Sequence, residues 1–244
     1  MNPILFTASK GAERVMYAQE VRANNLANAN TIGFKSTMEV STPMKLKGAG
    51  FESSITTRTN SSTNDFATGN NIRTERDLDL MVNGRGFFTL SNAANPNKEV
   101  YTRAGQFNVT AEGDLKLGSY NVMGEDGPIQ VPEFQKIDIS DEGVINVIPA
   151  GGGAQIEVGQ LKLVNPDTKT MTLDSSGYFV STTGQNLAAD PMVNVQSGFL
   201  ESSNVSATEE LISIMALTRQ YEMQVKMMAA GNEIAEIGNR IIQG

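Results

Sequence analysis

An apolar stripe of helical spacing runs through the C-terminal segment without a break. Its members alternate by three and four residues, so they share one side of an α-helix, and they are Leu211, Ile214, Thr218, Tyr221, Val225, Met228, Asn232, Ala235, Asn239 and Ile242. A second stripe runs beside it through Leu217, Gln224, Gly231 and Gly238. Ser206 and Glu209 form a capping box, and no proline follows. The pattern predicts a helix of about 37 residues and about 55 Å, longer than a compact domain of this size covers.

The N-terminal segment predicts a second helix. Asn2 followed by Pro3 is typical of a helix start. A stripe of mostly small residues follows at helical spacing, formed by Ile4, Ala8, Gly11, Val15 and Ala18. The helix is expected to end between Asn28 and Gly33, where asparagines and a glycine supply stop signals. Asn24, Asn25, Asn28 and Asn30 are expected to bond backbone groups at that end.

The middle of the chain carries β signals. Turn residues recur between short β-branched and aromatic runs, as in antiparallel sheets. One pattern, with apolar residues at positions one, three and nine and glycine at seven, predicts three similar hairpins that start at Phe107, Ile137 and Met171. We therefore predict a mainly β protein with long terminal α-helices, divided into an N-terminal helix over 1–34, an extended arm or linker over 35–75, an antiparallel β domain over 76–203 and a C-terminal helix over 204–244. The conformation of residues 42–71 is left open.

Composition excludes several functions. The chain of 244 residues has no His and no Cys, which removes imidazole and thiolate chemistry and leaves no reason to expect a metal or another cofactor. A net charge of −8 opposes binding to nucleic acid. No apolar run reaches the roughly 20 residues that span a bilayer, so direct membrane insertion is not expected. The start of the chain lacks the pattern of a cleaved signal peptide.

Two other functional classes, a hydrolase and a ligand-binding adhesin, are alternatives. A glycan hydrolase would need a carboxylate pair, for which Asp77 with Asp79 or Asp141 with Glu142 are the candidates. Asp138, Asp141 and Glu142 lack the ligand spacing of a calcium loop, so a solvated turn is the better interpretation. A ligand-binding adhesin is disfavoured because the chain has no Trp and few aromatic residues.

Arg103 has two interpretations. It could pair with Asp77 or Asp79 and hold hairpins together, or it could be solvated, since exposed pairs contribute little.

The terminal helices also have two interpretations. They could form an antiparallel pair on the body of a monomer, or a coiled-coil-like layer that neighbouring subunits complete. Small and polar residues in the stripes, such as Gly11, Asn25, Thr218, Asn232 and Asn239, would make an isolated pair weak. This favours the multi-subunit interpretation.

Several blocks of sequence resemble the flagellar basal-body rod and hook family. They are Asn25–Lys35 (NLANANTIGFK), Asp77–Phe88 (DLDLMVNGRGFF), Tyr101–Phe107 (YTRAGQF), Gly198–Val205 (GFLESSNV) and Arg219–Glu222 (RQYE). They occur in the order found in that family and cover both ends and much of the middle. Gly124–Pro132, Gly159–Val164 and Glu222–Lys226 look most like the proximal rod proteins, with the distal rod proteins as the near alternative. Hook proteins are usually longer and fit less well.

The resemblance implies a structural subunit and no enzyme. Such a subunit would belong to the proximal rod, where it would transmit torque between the membrane ring and the distal rod or hook. Its helices would pair and pack in a helical tube inside an outer β layer, with other rod subunits, copies of itself and the flagellar export apparatus as partners. Export without a cleaved signal peptide would place it in the periplasmic rod. Assembly contacts are expected at Val15, Asn25, Leu26, Asn28, Gly33, Phe34, Leu211, Ile214, Leu217, Tyr221, Val225 and Met228.

Overall fold

A computed structural model describes residues 3–45, 55–92 and 95–243. The chain is mainly β with one long helix towards each end, as predicted. It divides into two compact units. The helix unit comprises Met1–Ala29, Ser36–Asp65 and Val205–Gly244, and the β unit comprises Asn30–Lys35 and Phe66–Asn204. Neither long helix of the described chain has the length of uncharged apolar sequence that a bilayer crossing requires.

The helix unit contains α1 (Pro3–Ala27), α2 (Ala207–Gln243) and a two-stranded hairpin of β1 (Thr37–Lys45) and β2 (Ile55–Asn64). The 37 residues of α2 match the predicted length. Its start is capped by Ser206, whose Oγ accepts from the Glu209 N–H at 3.5 Å. Acidic side chains in the first turn and Arg240 in the last turn have the charges that the helix dipole favours.

The segment 35–75, predicted as an extended arm, contains paired strands. β1 and β2 are antiparallel from Thr37 opposite Asn64 to Lys45 opposite Ile55, with a bulge after Val40. Most of the segment lies in the helix unit, while residues 66–75 belong to the β unit. The division therefore differs from the expected boundaries. The many Thr residues explain the strands, because β-branched side chains suit a pleated surface.

The β unit has fifteen strands within the described residues. Their bounds are β3 (Asn71–Arg73), β4 (Leu80–Asn83), β5 (Phe87–Asn92), β6 (Asn95–Thr102), β7 (Asn108–Val109), β8 (Leu115–Leu117), β9 (Tyr120–Val122), β10 (Phe134–Ile139), β11 (Val144–Pro149), β12 (Ile156–Gln160), β13 (Leu163–Val164), β14 (Met171–Leu173), β15 (Phe179–Ser181), β16 (Asn194–Ser197) and β17 (Phe199–Glu201). The main sheet has the order β14-β15-β6-β5-β9-β8-β7, with β13 also paired to β5, and β10-β11-β12 form a second sheet. β16 pairs with β4, and β17 pairs with β3.

The three predicted hairpins are present. They join β7 to β8, β10 to β11 and β14 to β15. In each, a glycine with φ between +81° and +87° donates its N–H to the carbonyl three residues earlier; the three glycines are Gly113, Gly143 and Gly177. The repeated sequence pattern therefore encodes a repeated turn.

The core lies between the sheets of the β unit. Leu80, Leu90, Phe107, Leu115 and Val195 are among its side chains with no exposed surface. A second apolar cluster gathers Phe66, Phe87 and Phe179 with ring centroids 5.2–5.8 Å apart. Burial of this extent stabilises the β unit from within.

Candidate assembly surfaces

The two long helices pack against each other in opposite directions. A Cβ on Gly11 would lie 3.0 Å from the Gln224 side chain, so the helices approach closely there. Further along α1, the Asn25 side-chain amide donates to Glu210 Oε1 at 3.2 Å. Residue numbers rise on α1 while they fall on α2, so the pair is antiparallel. In α1, the buried side facing this contact includes Ala8, Ala12 and Val15.

One side of α2 is at least partly buried by this pairing. Its residues follow three–four spacing, and they are Ile214, Leu217, Tyr221, Gln224, Met228, Gly231, Ala235 and Gly238. Because Gln224 contacts Gly11, this stripe is the side that faces α1. We call it the inner stripe. It combines alternate members of the first stripe described from the sequence with all four members of the second.

A further apolar stripe on α2 is exposed. It comprises Ile212, Ala216, Met223, Met227, Ala230, Ile234, Ile237 and Ile241. This outer stripe also follows helical spacing and lies about a third of the way round the helix from the inner one. The exposed fraction of Met223 is 60%, and that of Ile234 is 62%. Exposed apolar residues along one side of a helix, interrupted only at Arg219, indicate an interaction site.

The predicted contact residues of the C-terminal helix divide between these faces. Ile214, Leu217, Tyr221 and Met228 lie on the inner stripe, whereas Leu211 and Val225 are exposed. Sequence reasoning missed the outer stripe, although its three–four spacing was visible. It was missed because Arg219 breaks its three–four spacing, while the neighbouring stripe keeps that spacing throughout.

Asn25 joins α1 to the hairpin. Its side-chain amide donates to the Thr37 carbonyl at 2.9 Å, and its Oδ1 accepts from the Thr37 N–H at 2.8 Å. Glu210, which also accepts from Asn25, forms an ion pair with Arg22 at 3.1 Å. Asn25 therefore bonds a strand instead of its own helix end. Its side chain is predicted as an assembly contact, but it is only 1% exposed in this structure.

Asn28 behaves as predicted, since its side-chain amide donates to the Asn24 carbonyl at 3.0 Å, at the end of α1. Leu26, also named as an assembly contact, is half-buried.

Gly33 begins a closely packed part of the β unit. Its φ of +69° is a left-handed conformation, and an added Cβ would lie 2.3 Å from the Ala104 nitrogen. The Gly33 N–H donates to the Glu201 carbonyl at 2.8 Å. Phe34, the next residue, is half-buried, and its carbonyl accepts from the Asn204 N–H at 3.4 Å. Only glycine meets both the conformational and the spatial demand at position 33.

A buried ion cluster lies beside this turn. Lys35 Nζ contacts Glu201 Oε1 at 2.5 Å and donates to the Ala67 carbonyl at 2.7 Å. The same carboxylate oxygen accepts from the Gly69 N–H at 3.0 Å. Both side chains of the ion pair are almost completely excluded from solvent, at 0% and 2% exposure. Such a pair holds its segments together because separating the partners would leave a buried charge.

Arg103 completes the ion cluster, and both interpretations drawn from the sequence were wrong. Its Nε lies 3.4 Å from Glu201 Oε2, and the guanidinium also donates to the carbonyls of Val82 and Gly84. Burial lowers the pKa of Arg103, and the charge of Glu201 opposes that shift. Asp79, one of the expected partners, pairs instead with Arg76 at 3.2 Å. The partner was missed because Glu201 is distant in the sequence.

The carboxylates considered for hydrolysis do not form a matched pair. Asp77 is exposed, while Asp79 is 2% exposed and held by Arg76. Asp141 and Glu142 are exposed neighbours in the turn between β10 and β11. Within residues 3–45, 55–92 and 95–243, no group of acidic side chains is arranged to hold a metal ion.

Comparison with known proteins identifies the family. The chain is 31% identical to the flagellar basal-body rod protein FlgF of Escherichia coli K12, over 250 aligned residues that cover 99% of each protein. The chain belongs to the FlgF family of flagellar basal-body rod proteins. FlgF of Salmonella typhimurium LT2 is also 31% identical, again over 99% of each protein. FlgG, a basal-body rod protein of Buchnera aphidicola from Acyrthosiphon pisum, is 28% identical over 97% of this chain and 98% of its own.

Three family models match the chain in the order expected of a FlgF relative. They are the flagella basal body rod protein model over residues 7–35, the FlgE/F/G hook protein D1 domain over 81–147, and the FlgEFG basal body rod C-terminal model over 196–241. The ion cluster takes one residue from each match, namely Lys35, Arg103 and Glu201. Three separate sequence blocks of the family therefore meet at one buried point.

Proposed function

We propose that this chain is a structural subunit of the proximal part of the flagellar basal-body rod, with no catalytic activity, and that it transmits torque towards the distal rod and hook. Its relatives at 31% identity are named as basal-body rod proteins. The observation that carries the proposal is the outer stripe of α2, which has helical spacing and no covering residues within the described chain.

Assembly would bury this stripe. Nine large hydrophobic side chains of α2 are at least 42% exposed, from Leu211 to Ile241. Burying one such side chain contributes about 1.5–3 kcal/mol, so a row of them is a substantial driving force for association. We propose that α1 and α2 form the inner tube of the rod in coiled-coil-like contact with neighbouring subunits, and that the β unit forms the outer layer. The assembly contacts predicted from the sequence are part of this proposal and are expected to lie between neighbouring subunits.

The partners follow from the same proposal. They are other rod subunits, copies of this chain and the flagellar export apparatus. Export would proceed without cleavage of a signal peptide, and the subunit would function in the periplasmic section of the basal body. A distal rod subunit is the alternative, supported by the 28% identity to FlgG, but the FlgF relatives share more residues.

Complementation tests the proposal. A host strain without its own copy of the gene should swim when this chain is supplied. Ile234→Asn should abolish incorporation into basal bodies because it interrupts the outer stripe. Glu233→Asn, a change to the same residue at the adjacent exposed position, should retain motility. The measurements are swimming and the subunit content of isolated basal bodies.

Full motility of the Ile234→Asn strain would contradict the role of the outer stripe. Swimming by a strain that lacks the gene would contradict the proposed function itself. Clearing of peptidoglycan by the purified protein would instead support the hydrolase alternative.

A further inference from the structure

The exposed side of α1 also carries a stripe of helical spacing. Its members are Phe6, Ser9, Glu13, Met16, Glu20, Ala23 and Ala27, and all are exposed. The steps between them alternate between three and four residues, so they share one side of the helix. We call this row the α1 stripe. It is distinct from the buried side that contains Ala8, Ala12 and Val15.

The charges in the two exposed stripes are complementary. The α1 stripe contains Glu13 and Glu20, which are seven residues apart. Arg219 interrupts the outer stripe of α2, and Lys226 lies seven residues further along the same side. Neither Arg219 nor Lys226 forms an ion pair with another residue in the part of the chain that the structure describes. A spacing of seven residues brings a helix back to nearly the same face after two turns.

We infer that the α1 stripe of one copy binds the outer stripe of α2 in a second copy, with Glu13 and Glu20 facing Arg219 and Lys226. This inference rests on the proposed function, to which it adds the identity of the contacting faces. One contact would cover the α1 stripe and the part of the outer stripe from Ile212 to Ile234.

The sizes of the remaining side chains also match between the two stripes. Small residues would meet small ones, because Ser9 and Ala23 would align with Ala216 and Ala230. In the middle of the contact, Met16 would lie opposite Met223. Ser9 is the one uncharged polar residue of the α1 stripe, and a serine hydroxyl in a helix can bond a carbonyl of its own preceding turn. Its place opposite an alanine therefore does not require a polar partner.

The neighbouring charges do not cancel this match. Glu13 already contacts Lys10 at 2.6 Å, but that pair is exposed on both sides, at 49% and 68%. An exposed pair contributes little and can exchange partners. Glu222 lies between Arg219 and Lys226 in sequence but faces the more polar side of α2. The charges therefore select the partner and its register, while the apolar residues supply most of the attraction.

The geometry of the contact has a consequence for the assembly. The two faces are different surfaces of the same chain, so the contact is heterologous. Heterologous contacts leave one face free at each end, and they extend into rings or open helical filaments. An isologous dimer would stop after two copies. The two stripes therefore suit a helical rod.

Charge reversal with rescue tests the pairing. Arg219→Glu should remove motility and incorporation, because like charges would face each other across the contact. Arg240→Glu is the matched control and should swim normally: it makes the same charge change on the same side of α2, at an exposed position beyond the stretch that the α1 stripe covers. Adding Glu13→Arg to Arg219→Glu restores motility if the helices are parallel. Adding Glu20→Arg restores it if they are antiparallel.

Disulfide cross-linking tests whether a second copy of this chain is what binds the outer stripe of α2. The chain has no cysteine, so introduced thiols are unique. Basal bodies from a strain with Met16→Cys and Met223→Cys in one chain should yield disulfide-linked dimers and larger species under oxidation. Each single-cysteine variant should remain monomeric under the same conditions.

Two outcomes would overturn the inference. One is the failure of both rescue variants, which would show that these carboxylates do not face Arg219. The other is the absence of cross-linked species in a motile double-cysteine strain, which would assign the outer stripe to a different rod subunit. Neither result would affect the proposed function, because the unmodified chain would still restore swimming.

Discussion

The two units of this chain bury apolar residues in opposite ways. In the β unit, Leu80, Leu90 and Val195 have no exposed surface, and even charged Lys35 and Glu201 are internal. In the helix unit, Ile234 and Ile241 are 62% and 75% exposed although they occupy regular positions of a long helix. The β unit is therefore complete as a single copy. The helix unit of a single copy leaves the second apolar side of α2 exposed, and under the proposed function a helix of a neighbouring subunit would cover it.

This difference indicates that the β unit provides the stability of a single subunit, whereas the helix unit provides the surface for association. Substitutions inside the β unit should change the free energy of unfolding of a single subunit. Substitutions on the outer stripe of α2 should leave that free energy nearly unchanged and act on assembly.

Lys35→Met should destabilise the β unit by about 3–5 kcal/mol, because it leaves Glu201 buried without its main partner. Urea unfolding of the free subunit, followed by tyrosine fluorescence and circular dichroism, measures this change. Arg73→Met is the control: Arg73 also pairs with a glutamate, Glu75, but both side chains are more than 70% exposed. A loss of the same size in both variants would contradict the importance of burial.

Gly33→Ala should cost more than about 2 kcal/mol, since alanine is strained at positive φ and its Cβ would collide with the backbone of residue 104. Gly84→Ala isolates the cost of the positive φ from the cost of the collision, because Gly84 has a similar φ of +72° and no atom within 4 Å of an added Cβ. Thermal unfolding of both variants should therefore give a clearly lower midpoint for Gly33→Ala. Equal midpoints would mean that the contact with Ala104 is relaxed at little cost.

Alkaline pH should weaken the β unit through Tyr101. Burial raises the pKa of this phenol from 10.0 to about 12, with Glu99 adding to the shift and the Leu187 N–H opposing it. The folded state therefore holds the proton more tightly than the unfolded state. The resulting contribution, up to about 3 kcal/mol, is complete below pH 10 and is lost as the pH rises towards 12.

Tyr101→Phe provides the comparison for this pH effect. It cannot ionise, so its free energy of unfolding should fall less steeply than that of the unmodified protein between pH 10 and pH 12. Denaturant titrations at a series of pH values measure the two slopes. Parallel slopes would show that Tyr101 does not carry the alkaline sensitivity.

Met223→Gln should give the smallest change in stability, within about 0.5 kcal/mol, because the side chain is exposed in the free subunit. Incorporation into basal bodies should nevertheless fall, since a polar group would enter the contact. Calorimetry of the free subunit and the basal-body content measure the two quantities. A large loss of stability in the free subunit would show that the outer stripe is already covered within one copy.

Local patterns in the sequence predicted the local structure well. The span of α2 and the three glycine hairpins depend on residues close together in the chain, and all of them are present. Periodicity and turn chemistry are sufficient for such features. The resemblance to the rod family also came from contiguous blocks, and the identities to FlgF confirm it.

Contacts between distant segments could not be predicted in this way. Lys35 and Glu201 are separated by 166 residues, so nothing local indicates that they meet. The partner of Arg103 was predicted wrongly because Asp77 and Asp79 were nearer in sequence. Most of the hairpin over 37–64 lies in the segment 42–71, whose conformation the sequence does not predict because its residues alternate only in places and have little to bury. Backbone hydrogen bonds between the two antiparallel strands form the hairpin, although its side chains do not provide an alternating apolar face.

The chain passes between the two units four times, and its two long helices come from opposite ends of the sequence. Asn25 and Glu210, which connect α1 to α2, are 185 residues apart. Whichever end emerges first from a narrow conduit, α1 and α2 cannot meet until the other end has followed. If the subunit is exported in extended form, as the proposed function has it, the antiparallel pair of α1 and α2 would therefore form only after both ends of the chain have left the channel.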